Sequence, residues 1–194
     1  MKTAFLTKTA LTMALAGTGL LAHAEDFSCA AGSASDCALA TSTLSWTWDG
    51  TFFTLSNSGA GYVSEVYFDL SAGMSASFVS GIGTVNFTAG ASPSSLPGGS
   101  GVGFTSDAAF DSDSGGAPVY GINAGESATF QIVGAALDGF TGGALAAGAH
   151  VRSLVDSSAS VVTIAAAVPE PETYALMLAG LGVVGWVARR RHSA

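Results

Sequence analysis

Apolar and polar residues alternate with a period of two along residues 25–168, in short runs separated by glycine and serine. In the run at 127–133, for example, Ala128, Phe130 and Ile132 share one face, while Thr129 points to the other. This pattern is typical of strands that bury one face, and no long amphipathic helix interrupts it. We therefore predict an all-β fold for the body of the chain, an antiparallel β-sandwich of jelly-roll-like type.

Turn-forming residues divide this body into strands. Asp49-Gly50 separates the runs at 45–48 and 51–55 and predicts a two-residue hairpin turn, with positive φ at both positions. The Gly-, Ser- and Pro-rich stretch at 89–103 predicts a long surface loop, and the alanine-rich tract at 135–149, interrupted by glycines, predicts a loop with at most one helical turn. Further strands are predicted at 62–70, 76–80, 84–88, 127–133, 149–155 and 160–166.

The N-terminal 24 residues have the organisation of a secretory signal peptide. Lys2 and Lys8 precede an apolar stretch at 10–21, and Ala22-His23-Ala24 supplies the small residues of a cleavage site. We predict that residues 1–24 are removed after export, and the alternative is a retained N-terminal anchor. The apolar stretch is too short to span a bilayer comfortably, which favours removal.

The C-terminal 26 residues combine three features in order: Pro169-Glu170-Pro171, an apolar run at 174–188, and Arg189, Arg190 and Arg191. The prolines end the preceding fold and hold an extended segment. The apolar run predicts a single C-terminal transmembrane helix, about 22 Å long at 1.5 Å per residue. The arginines are expected to stop transfer and keep the C-terminus in the cytoplasm. An ordinary short C-terminal anchor is the alternative.

This tripartite tail resembles the PEP-CTERM sorting signal of Gram-negative bacteria. The resemblance implies that an exosortase-like membrane enzyme recognises Pro169, Glu170 and Pro171 and processes the protein for the cell surface. It also implies a link to exopolysaccharide and biofilm matrix. The same tail is sometimes labelled as the C-terminal region of ice-binding proteins, whose bodies present flat threonine arrays. Residues 41–43 are only an isolated Thr-Ser-Thr group, so the sequence does not favour ice binding.

The body is strongly acidic. Residues 25–168 contain 12 Asp or Glu and a single Arg152, for a net charge of about −11, against −8 for the whole chain. Such a body repels phosphate backbones and anionic lipid, which excludes nucleic acid as an expected partner. Divalent cations and neutral or cationic polymers remain compatible with this charge, and solubility alone also explains it.

Cys29 and Cys37 are the only cysteines of the chain. In an oxidising periplasm, two cysteines eight positions apart are expected to form a disulfide that fastens the N-terminus of the body. A metal site needs more ligands than two thiols, and His150 is far along the chain.

Three aspartates form a candidate metal site. Asp107, Asp111 and Asp113 precede Gly115-Gly116, and hard oxygen ligands on a flexible loop are what calcium requires. The spacing lacks the later bidentate glutamate of an EF-hand loop, and an Asx-type turn explains the same residues. We expect no other cofactor.

Two further groups of side chains are candidates for binding or catalysis. Glu65 and Asp69 lie on one side of the predicted strand 62–70 with Tyr67 between them, as a sugar-binding or acid/base surface or simply a solvated strand face. His150 and Arg152 begin a late strand, and without a G-x-S-x-G elbow the histidine is expected to be structural. Trp46 and Trp48 share a face and are expected in the core or at its rim, although exposed aromatic rings would suit carbohydrate stacking.

These observations predict an exported, non-enzymatic structural or binding protein. It would be anchored in the inner membrane with its body in the periplasm before processing, and would end at the cell surface or in the extracellular matrix. The domains expected are a signal peptide at 1–24, a β-sandwich at 25–168 and a sorting signal at 169–194. The alternatives are a secreted polysaccharide-acting hydrolase that uses Glu65 and Asp69, and a calcium-dependent carbohydrate-binding module.

Overall fold

Two antiparallel sheets face each other in the computed structural model, which describes residues 27–112, 118–136, 138–140 and 143–163. The elements are β1 Phe27–Ala31, α1 Ala34–Thr43, β2 Leu44–Trp48, β3 Phe52–Asn57, β4 Tyr62–Leu70, β5 Ser75–Ile82, β6 Phe87–Ala89, β7 Ala108–Ser112, β8 Glu126–Val133, β9 Leu145–Arg152 and β10 Ser158–Thr163. A six-stranded sheet has the order β1-β10-β9-β4-β7-β6, and a four-stranded sheet has the order β2-β3-β8-β5. The predicted antiparallel sandwich is confirmed.

The predicted membrane segments lie outside this description. The signal peptide at 1–24 and the transmembrane helix at 174–188 fall on residues that the structure does not describe. Within the described residues, no helix has the length and apolar character needed to cross a bilayer.

Aromatic side chains fill the space between the sheets. Phe53, Phe68 and Phe130 are fully buried, and the ring of Phe68 lies 5.4 Å from Phe53 and 5.3 Å from Phe130, edge to face. Trp46 belongs to the same core, 5.6 Å from Phe53, and Trp48 is half-buried at its rim. The prediction of core or rim tryptophans is therefore confirmed, and Trp46 is not available to stack on a carbohydrate.

The predicted loop at 89–103 covers part of the outer face of the six-stranded sheet. Leu96 and Phe104 are buried there in a second apolar cluster with Tyr67 and Val162. Gly148 makes this packing possible, because a Cβ atom at that position would lie 2.7 Å from the Leu96 side chain. The loop thus shields a strip of sheet that would otherwise face water.

The β2–β3 hairpin forms as predicted, but its turn differs. Trp48 pairs with Phe53, which leaves four residues between them, and only Gly50 takes a positive φ of 95°. The carboxylate of Asp49 instead accepts hydrogen bonds from the backbone N–H groups of Thr51 and Phe52, at 2.8 and 2.7 Å. The side chain of Asp49 thus organises an Asx-type turn, and the prediction of a two-residue turn is wrong.

Several elements depart from the sequence prediction. Strand β9 begins at Leu145, within the tract predicted as loop, because pairing with β4 extends to the Leu70–Leu145 pair. Strand β7, Ala108–Ser112, lies within the segment of Asp107, Asp111 and Asp113 that was expected to be a flexible loop. Strand β1 was not predicted because its five residues carry little alternation. Tertiary pairing, which short sequence windows do not contain, decides each of these cases.

Helix α1 follows β1 and was also missed. Its N-cap Ser33 accepts a hydrogen bond from the Asp36 backbone N–H at 3.2 Å, and the predicted Cys29–Cys37 disulfide, which is confirmed, ties the helix to β1. The hydroxyl groups of residues 41–43 donate to backbone carbonyls within α1, so these residues form no flat threonine array.

Candidate functional site

The most conspicuous polar cluster surrounds Glu65 on the outer face of the six-stranded sheet. A β-bulge at Ser64 places both Ser64 and Glu65 opposite His150 of β9. Glu65 is only 2% exposed, and its Oε1 accepts a hydrogen bond from Nη2 of Arg152 at 2.5 Å. The Ser64 hydroxyl donates to the other oxygen of Glu65 and accepts from Nε of Arg152 at 2.9 Å.

The imidazole of His150 completes this cluster. Its Nδ1 lies 3.1 Å from Oε2 of Glu65, within ion-pair distance, and among the described residues that buried nitrogen has no hydrogen-bond partner. Burial alone would raise the pKa of Glu65. The contacts with His150 and Ser64 and the positive charges of His150 and Arg152 outweigh burial, so the pKa of Glu65 is lowered.

This arrangement stabilises a carboxylate rather than activating a nucleophile. The Ser64 hydroxyl donates to Glu65 and lies 3.2 Å from the backbone carbonyl of His150. A serine nucleophile would instead donate its proton to the imidazole ring. A carboxyl with a lowered pKa is also unsuited to the general-acid role in glycoside hydrolysis, which needs a raised pKa. The residues of the cluster thus neutralise one another.

Tyr67 and Asp69 lie on the same face of β4 as Glu65, and each forms a hydrogen bond with the loop that follows β6. The Tyr67 hydroxyl donates to the Pro93 carbonyl at 2.9 Å, and burial, with the nearby carboxylates, raises the pKa of Tyr67. Asp69 accepts a hydrogen bond from the Thr105 backbone N–H at 2.8 Å. The loop at 90–106 therefore covers this part of the strand, and the interpretation of a solvated strand face is wrong for Glu65 and Tyr67.

The separation of Glu65 and Asp69 also argues against paired catalysis. Four residues of extended strand span about 13 Å between Cα atoms. The carboxyl groups of a glycosidase pair lie about 5–10 Å apart across an open cleft. Tyr67 and its cover occupy the space between these two carboxylates.

Two of the three candidate calcium ligands, Asp107 and Asp111, lie among the described residues and have structural roles of their own. Asp111 lies within β7, directly opposite Glu65, and Asp107 accepts a hydrogen bond from the Leu70 backbone N–H at 2.9 Å. Asp113 lies outside the described residues. The described parts of the chain contain no group of three metal-ligating side chains. The flexible loop is therefore wrong for 108–112, and calcium binding by these aspartates stays a prediction.

Two acidic residues that the sequence did not single out join distant segments. Asp36 in α1 is buried and accepts hydrogen bonds from the backbone N–H groups of Asp156 and Ser157, both at 3.0 Å. In return, the Asp156 carboxylate accepts from the hydroxyls of Ser33 and Ser35 at 2.8 and 2.6 Å. Ser33 and Asp36 are typical residues of a helix N-terminus and were the available sequence signal for α1. The contact with Asp156 could not be predicted, because Asp156 lies 120 residues away from Asp36 in the sequence.

The first and last described residues lie side by side on neighbouring strands. Phe27, the first described residue, is the register partner of Thr163, the last one. Five residues, 164–168, separate Thr163 from Pro169, and extended chain of that length reaches at most about 20 Å. The predicted sorting residues Pro169, Glu170 and Pro171 and stop-transfer residues Arg189, Arg190 and Arg191 lie outside the described residues.

Comparison with known proteins identifies the tail. Residues 167–191 match the family model of the PEP-CTERM protein-sorting motif, which confirms the resemblance seen in the sequence. The motif indicates an exported protein that is sorted and processed by exosortase, a membrane enzyme, from a membrane-anchored precursor. Searches of curated proteins and of solved structures find no match to the chain.

Proposed function

We propose that this exosortase-sorted protein is a non-enzymatic structural or binding protein of the cell surface or extracellular matrix, associated with exopolysaccharide. The signal peptide at 1–24 starts its export, and the body is exposed in the periplasm before the tail is processed. The proposal requires no cofactor.

The observation that carries the non-enzymatic assignment is the state of Glu65. Its carboxylate is buried, and it is bound by Arg152 and Ser64 and flanked by His150. A catalytic carboxylate must reach substrate and change its protonation state, whereas this one is held ionised inside the protein. Asp36, Asp49 and Asp69 likewise accept backbone hydrogen bonds, which is a structural use of acidic residues.

Cell fractionation and an activity assay together test the proposal. Cells that carry an exosortase should yield the body in the surface or matrix fraction, and digestion of the matrix polysaccharide should release it. The purified full chain should liberate no reducing sugar from the same polysaccharide. If the wild-type chain hydrolyses the polysaccharide and a folded Glu65→Gln variant does not, the protein is a hydrolase and the proposal is wrong. Recovery of the body only in the cytoplasm would contradict export.

A further inference from the structure

The outer face of the four-stranded sheet has a different chemistry from the rest of the body. Its central residues carry hydroxyl groups: Ser45 and Thr47 on β2, Thr54 and Ser56 on β3, and Thr129 on β8. They are exposed or half-buried, and none of the residues that point outward from these strands is charged.

Cross-strand register aligns these hydroxyl groups into rows. Thr47 pairs with Thr54, Thr54 with Thr129, and Thr129 with Ser80, so one row crosses all four strands. Neighbouring strands lie about 4.8 Å apart, and successive outward residues on one strand lie about 7 Å apart. The hydroxyls of Thr54 and Thr129 are 3.0 Å apart and hydrogen-bonded, which fixes their directions before any ligand arrives.

Apolar side chains border the hydroxyl rows. Phe52 on β3 is 37% exposed, Val133 on β8 is 55% exposed, and Val79 and Ile82 on β5 are 50% and 68% exposed. Val79 is the extra residue of a β-bulge between Phe78 and Ser80. The face therefore offers both fixed hydroxyls and apolar contact area without a charged group.

Charge distinguishes this face from the other outer surface. The outer face of the six-stranded sheet carries Glu65, Asp69 and Asp111 together with His150 and Arg152. A cationic ligand would be drawn to acidic regions of a body with a net charge of about −11, and an anionic ligand would be repelled by it. An uncharged face on such a body suits a neutral ligand.

We propose that this uncharged hydroxyl face binds a neutral, extended polysaccharide. Such a chain presents hydroxyl groups that can donate to and accept from the ordered rows, and its apolar C–H faces can be buried on Phe52 and Val133. The inference rests on the proposed function and names the partner through which the body associates with the matrix.

Co-sedimentation of the purified full chain with insoluble neutral glucans tests this assignment, with cellulose and a β-1,3-glucan as the probes. The wild-type chain should be depleted from solution by at least one of them. Thr129→Lys places a charge in the central row and should raise the apparent Kd from a co-sedimentation titration by about tenfold, a loss of ~1.4 kcal/mol. Thr88→Lys, at an exposed position of β6 on the other sheet, is the matched control and should bind like wild type.

Ser77→Lys, at an exposed position on the hydroxyl face, gives the same test if Thr129→Lys does not fold. No depletion by either glucan, or equal binding by the face variants and by Thr88→Lys, would overturn the inference. Inhibition of ice growth that the face variants lose, without glucan binding, would overturn it as well and assign the face to ordered water. Surface location in cells is a separate readout, so failure of glucan binding does not count against the proposed function.

Discussion

Nη2 of Arg152 lies 2.5 Å from Oε1 of Glu65, and this ion pair joins strands β4 and β9 at the centre of the six-stranded sheet. Residues 25–168 contain 12 Asp or Glu but only one arginine and no lysine. That arginine, Arg152, is paired with the carboxylate of Glu65, which is 2% exposed. The ion pair therefore belongs to the architecture of the sheet, and its removal is expected to affect stability.

Arg152→Ala should lower the free energy of unfolding by about 3 kcal/mol, because it leaves Glu65 buried with reduced compensation. Chemical denaturation measures this change. The double variant Glu65→Gln, Arg152→Met removes both charges and should recover part of the loss. Equal stability of Arg152→Ala and wild type would show that His150 and water suffice to hold the carboxylate.

The stability contributed by Glu65 should depend on pH. Because the pKa of Glu65 is lower in the folded protein than the ordinary value of 4.5, its contribution is complete above pH 4.5 and is lost as the pH falls through the folded-state pKa. Thermal unfolding of wild type and Glu65→Gln should therefore converge as the pH decreases from 6 to 3. A difference in melting temperature that is constant over this range would contradict the lowered pKa.

The sequence predicted the parts of this sheet that depend on local composition, but not those that depend on long-range pairing. Strand β4 has the predicted bounds, 62–70, because β-branched and aromatic residues dominate this stretch between two turn-forming segments, although residues 62–68 are buried on both faces of the sheet. The environment of Glu65 was not predicted, since it depends on the bulge at Ser64 and on β9, 85 positions away in the sequence. Likewise, the hydroxyl rows exist only once β2, β3, β8 and β5 are in register.

Gly148→Val should destabilise the protein by about 1–3 kcal/mol through overpacking. Its side chain would enter the space of Leu96, whose Cδ2 atom lies 2.7 Å from a Cβ at this position. Gly101→Ala is the control within the covering loop, because a Cβ there meets nothing within 4 Å. Thermal unfolding compares the two, and a larger effect at Gly101 would mean that the loop is held by other contacts.

Replacing Cys29 and Cys37 with serine should lower the free energy of unfolding by about 2–3 kcal/mol, the range for a loop of this length. The expected cause is that, without the disulfide, the segment between positions 29 and 37 has greater conformational entropy in the unfolded chain. Intact-mass analysis after alkylation should find no free thiol in the wild-type protein without reductant, and reductant should not alter the serine variant. Two alkylated thiols in unreduced wild type would contradict the disulfide.

The C-terminus of the protein recovered from the cell surface tests the sorting assignment most directly. Mass spectrometry of exosortase-bearing cells should find a surface form that has lost Arg189, Arg190 and Arg191, since processing removes the membrane-anchored tail. The variant with Pro169→Ala and Pro171→Ala should be exported but retained in the inner membrane with its tail intact. A surface form of wild type that still ends at Ala194, or normal release of the proline variant, would contradict sorting through this motif.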